Sequence, residues 1–160
     1  SNMMKVRTAG DISSTFTNWT HIAMTYNGSG ASTSSNYKIY INGSEVSTTS
    51  NGNLISFNNV NTIGAANDGA SFPTNGLLDE IAIFNAELTS SNVTSIYNGG
   101  VPNNISSLNP AGWWRMGDGS DGSGNADGTI VGGLPQVYDM AGSNDGSLVN
   151  SPTFSTSVPS

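Results

Sequence analysis

The sequence predicts an all-β fold: an antiparallel β-sandwich carrying one short helix near residues 90–98. Three observations point there. Asn-Gly or Asp-Gly dipeptides punctuate the chain from 27–28 and 42–43 through to 145–146. Such pairs tolerate the positive φ that tight turns require. Between them lie short runs in which apolar and polar residues alternate, the period of a half-buried strand. Ser, Asn, Thr and Gly fill about half of the 160 positions. Trp, Tyr, Phe and Ile nevertheless return in short blocks, so the chain has the means to bury a core rather than stay disordered.

Trp19–Tyr26 is the first clear strand, and alternation sets Ile22, Met24 and Tyr26 on one face. Tyr37–Ile41 is the second, with Tyr37, Ile39 and Ile41 on one face and Lys38 and Tyr40 opposite. Asn42-Gly43 then turns the chain into Glu45-Val46, the strongest hairpin signal present. Leu77–Phe84 is a further strand, with Ile81 and Ile83 on the face of Asp79. The helix follows: Val93, Ile96 and Tyr97 recur at helical spacing. Thr89 is its N-cap, Leu88 a staple residue, and Gly99-Gly100 the stop. A connector with Pro102 and Pro110 leads to Trp113-Trp114-Arg115-Met116, then to a Gly- and Asp-rich stretch over 117–133 read as a long loop. Residues 151–160 read as a tail or linker.

Two segments together resemble the concanavalin A-like lectin/glucanase superfamily, in its laminin-G-like and pentraxin-like branch. Trp19-Thr20-His21-Ile22-Ala23-Met24-Thr25-Tyr26-Asn27-Gly28, followed by Ile39-Tyr40-Ile41-Asn42-Gly43, is similar to one family motif. Gly76-Leu77-Leu78-Asp79-Glu80-Ile81-Ala82-Ile83-Phe84-Asn85, with Leu88-Thr89 and the helix, is similar to a second. A third block, Trp113–Asp118 with Tyr138–Leu148, resembles the strands with which the family normally opens. The resemblance therefore implies a concanavalin A-like jelly-roll over 4–150, built from a C-terminal-type portion (4–100) followed by an N-terminal-type portion (111–150). That order fits a circularly permuted single domain, the favoured reading. It also fits a slice through tandem repeats, which would leave open sheet edges and invite strand exchange or a homodimer.

Composition excludes several functions. Lys5, Arg7, Lys38 and Arg115 are the only basic residues against eleven acids, for a net charge of −7. A nucleic-acid partner has no basic surface to meet. No apolar run approaches about 18 residues, so no membrane insertion is expected. There is no cysteine, hence no disulfide framework and no thiol catalysis.

The superfamily that the chain resembles includes glycanases, so paired carboxyls are the catalytic signature to look for. Retaining glycosidases need two carboxyls about 5–5.5 Å apart, which on a strand means acids sharing one face. Here Asp79 and Glu80 are adjacent and no other strand carries paired acids, so no catalytic residue is assigned. His21, the single histidine, is expected to be structural, and a hydrogen bond to Asp79 would be one way to satisfy it.

Calcium is the candidate cofactor. The resemblance implies a cation site at Asn67 and Asp68, where Ala66 replaces an acid. Asp118, Asp121 and Asp127 form a second candidate, although the spacing is not that of an EF-hand: position 12 from Asp118 is Thr129. A plain turn and a solvated loop are the competing readings. Trp113 and Trp114 are the candidate ligand-binding residues, because neighbours on a strand face opposite ways and one would be exposed. The function expected is a noncatalytic recognition or adhesion module for a glycan or surface protein. Its setting would be a larger extracellular, cell-surface or virion-surface protein. The alternatives are a ligand-free structural spacer repeat and, more remotely, a glycanase-related domain.

Overall fold

The computed structural model describes residues 5–29, 33–51 and 76–115, together with the strands at 129–131, 134–137 and 146–147. These residues form antiparallel strands and one short α-helix, the predicted all-β class. They belong to two compact units, the first holding 5–51 and 85–108 and the second holding 76–84, 109–115 and the C-terminal strands.

In the first unit, β2 (Ile22–Tyr26) pairs with β3 (Tyr37–Ile41) in register from Ile22↔Ile41 to Tyr26↔Tyr37. β3 pairs in turn with β4 (Ser44–Val46). The predicted hairpin is present: Asn42 and Gly43 take φ of 49° and 75°, the two positive values a two-residue turn demands. Asn42 also ties the turn to β2. Its Oδ1 accepts from the His21 amide at 3.0 Å, and its own amide donates to the His21 carbonyl at 2.9 Å. A second ribbon, β1 (Lys5–Thr8) with β5 (Thr48–Asn51), carried no sequence signal strong enough to predict it.

Helix α1 (Ser90–Tyr97) starts as predicted. Thr89 is extended, its Oγ1 accepts from the Asn92 amide at 3.1 Å, and the Asn92 side chain returns the bond to complete a capping box. Its end differs from the expectation. Asn98, not Gly99, first takes the left-handed conformation (φ 45°), because a short polar side chain tolerates that region. Tyr97 lies directly under the hairpin turn: a Cβ on Gly43 would sit 2.8 Å from Tyr97 Cδ1. Thr94 Oγ1 donates to the Gly43 carbonyl at 3.1 Å. Val93 is fully buried, and Tyr40 is 1% exposed with its hydroxyl 3.1 Å from Ser90 Oγ.

The alternation read for β2 holds, but the apolar face points outward. Ile22 and Met24 are 55% and 65% exposed, while Thr25 on the other face is buried. Thr25 shares its face with Tyr40, the β3 side chain that meets α1.

In the second unit, β6 (Ile81–Ile83) pairs with β7 (Gly112–Trp114), Ile81 opposite Trp114 and Ile83 opposite Gly112. The strand expected from Leu77 is shorter than predicted. Glu80 adopts φ +51°, a left-handed value that ends an extended run. β8 (Thr129–Val131) and β9 (Leu134–Val137) form a hairpin, and β10 (Gly146–Ser147) pairs with β9. The loop expected over 117–133 therefore contains a strand. Isoleucine and valine at 130 and 131 suit that strand, and the surrounding glycines masked the signal.

Candidate functional site

In the second unit, Glu80 of the acidic pair and Trp113, predicted as separate features, form one cluster with Arg115. Trp113 Nε1 donates to Glu80 Oε2 at 2.7 Å, and Arg115 Nε donates to Glu80 Oε1 at 3.0 Å. The Arg115 guanidinium also lies 5.3 Å from the centre of the Trp113 ring. Both carboxylate oxygens of Glu80 are thus engaged by charge-assisted or indole donors. These bonds hold Glu80 in its left-handed backbone conformation, which costs of order 1 kcal/mol or more for a residue with a side chain.

The expectation that one of Trp113 and Trp114 is exposed is corrected: they are 4% and 9% exposed. The physical reason lies on both faces of β7. Trp113 is drawn to Glu80, while the Trp114 ring folds back over Gly112, where a Cβ would meet its Cη2 at 2.5 Å.

Asp79 is half-buried. Its Oδ1 accepts from the Glu80 amide at 2.9 Å, and its Oδ2 is buried without a partner. Burial, opposed by that amide bond, pushes the carboxyl up to about 6. In the first unit, the His21 ring lies 5.9 Å from that of Tyr97, and its Nδ1 is buried without a partner. Burial pushes its imidazole below the ordinary histidine range. His21 and Asp79, expected to be partners, fall in different compact units, and each keeps one buried atom unpaired.

A polar depression of about 150 Å³ opens in the first unit between β3 and the start of α1. Its walls are Lys38 and Tyr40 from the strand and Glu87, Leu88, Thr89 and Ser90 from the segment entering the helix. Lys38 Nζ is 3.1 Å from Glu45 Oε2. The pairing follows from register: Glu45 faces Tyr40, so Lys38 is its diagonal neighbour on the same face. The Lys38 amine is held above its ordinary range first by the bond to Glu45, then by Tyr40 and, more weakly, by Glu87. Glu87 makes no hydrogen bond or ion pair among the described residues.

Sequence reasoning missed this depression. The available signal was Lys38 and Tyr40 alternating out of the apolar face, one turn dipeptide before an acidic residue. It could not show that the helix start would close over them. Of the predicted cation ligands, Asn67, Asp68, Asp118, Asp121 and Asp127 lie outside the described residues.

A family model described as the concanavalin A-like lectin/glucanases superfamily, of laminin G type, matches residues 4–94, more than half of the chain. No curated protein and no solved structure matches it.

Proposed function

The chain belongs to the concanavalin A-like lectin/glucanases superfamily, and on that premise we propose that it is a noncatalytic recognition module. Its ligand is a carbohydrate or another surface-displayed group, and its setting is a larger extracellular or virion-surface protein. The observation that carries this reading is the depression beside Lys38. It combines a cation, a carboxylate with no partner among the described residues, and hydroxyls on a wall fixed by a strand and a capped helix. Small polar groups placed on rigid elements are what orient a ligand in a binding site. The noncatalytic part is supported by Glu80. Hydrolysis would need one carboxyl to donate a proton and a second to attack or activate water, whereas both oxygens of Glu80 are held by Trp113 and Arg115.

Family segments in permuted order fit a single domain. The β6–β7 ladder supports that reading, because it joins a strand of the first portion to a strand of the second within one chain. Binding of the intact chain to a glycan array is the test. Retention of defined glycans is expected, and a blank array at millimolar-range sensitivity removes the carbohydrate reading.

A second reading, a spacer without a ligand, is favoured by the burial of both tryptophans. That burial removes them as a stacking platform for sugar. A spacer made of sliced repeats would pair with another copy by strand exchange, which light scattering on the purified chain detects.

A further inference from the structure

We propose that the depression between β3 and the start of α1 binds one neutral sugar residue through two adjacent hydroxyls, with Lys38 and Glu87 as the recognising pair. This rests on the recognition-module reading and names the site and ligand class within it.

The two side chains are chemically opposite. The Lys38 ammonium only donates, and one of its three N–H groups is directed to Glu45 at 3.1 Å. The Glu87 carboxylate only accepts, and no described group occupies it. Hydroxyls on neighbouring carbons meet both needs at once. One O–H donates to the carboxylate while the adjacent oxygen accepts from the ammonium, and both bonds are charge-assisted. Ser90 Oγ, already bonded to the Tyr40 hydroxyl, lines the same wall and can donate or accept. Leu88 supplies an apolar patch for the C–H face of a ring.

Charge and size narrow the class further. Glu87 on the wall and Glu45, ion-paired to Lys38 beside it, outnumber that one cation, and the chain carries a net charge of −7. A phosphate or carboxylate ligand would be repelled. The depression is small, about 150 Å³, and open to solvent, so its walls address a single ring of the ligand. One ring held by a few polar bonds implies a Kd on the order of 1 mM.

The test is amide-resolved NMR titration of the intact chain with galactose, glucose, mannose and their methyl glycosides, with inorganic phosphate as the anionic probe. One of the sugars is expected to shift amides at 38–40 and 87–91. Glu87→Ala and Lys38→Met are each expected to weaken binding at least tenfold. Glu87→Ala is expected to leave the melting temperature almost unchanged, since Glu87 makes no hydrogen bond or ion pair among the described residues. Full-strength sugar binding in both variants, or shifts confined to other residues, overturns this site and leaves the recognition module standing. Phosphate binding there more tightly than any sugar overturns the neutral class. Failure of every sugar here and of every glycan on the array overturns both proposals together.

Discussion

Asp79 shows how a single side chain can set a pH dependence. Its carboxyl is raised to about 6 because burial penalises the charge, and one of its oxygens has no donor. In the unfolded chain the same group titrates near about 3.9. The folded state therefore holds the proton more tightly. The stability this contributes is complete below about pH 4 and is lost as pH rises through about 6. A shift of that size would be worth about 3 kcal/mol for a fully enclosed group, and half-exposure to water reduces it to about 1 kcal/mol. Asp79→Asn should therefore become more stable than the parent as pH rises from 5 to 8, by about 1 kcal/mol in urea unfolding. A difference between the two that does not change with pH would show that Asp79 is not buried as described. Comparison with the parent is essential because His21, lowered by burial, acts in the opposite direction: its stabilisation is present above about 6.5 and is lost on acidification. Glu80 gives a second expectation at this scale. Glu80→Ala removes the carboxylate that accepts from the Trp113 indole N–H and from Arg115 Nε and should cost about 2 kcal/mol. A shifted tryptophan emission spectrum should accompany the loss.

At the scale of elements, the β3–β4 hairpin and α1 act as one piece. Gly43 is required twice: its φ of 75° disfavours any side chain, and Tyr97 occupies the space a Cβ would need. Gly43→Ala should destabilise the chain by about 2 kcal/mol or more. Pairing it with Tyr97→Leu separates the two causes. The clash component should be relieved in the double variant, leaving a coupling energy of about 1 kcal/mol, while the strain from positive φ persists. Strict additivity in denaturant melts would place Tyr97 elsewhere. Much at this scale was legible in advance. Asn42-Gly43 dictates its own turn because both residues accept positive φ, and Thr89 with Asn92 satisfies the orphan amides that open a helix. The end of β6 was not legible, because Glu80 is no turn residue by composition. Its left-handed backbone is held by partners about 35 positions away, as Arg115 is.

For the whole molecule, the pairing of β6 with β7 within one chain has a measurable consequence. β6 and β7 pair across the intervening helix-bearing segment, so that ladder is completed without a second copy. With a net charge of −7 also opposing self-association, sedimentation equilibrium at neutral pH should give a monomer of 16.5 kDa. A stable dimer would favour strand exchange between sliced repeats.

The division between sequence and tertiary structure follows the range of the forces involved. Turns, alternation, the helix cap and the family motif rest on neighbours a few residues apart, and the sequence alone determined them. Which face of β2 is covered, that both tryptophans are buried, and that Lys38 and Glu87 share a wall were decided only by packing. Alternation defines two faces of a strand but carries no information about what will cover either. Here α1 meets the Tyr40 face of the sheet, leaving Ile22 and Met24 exposed.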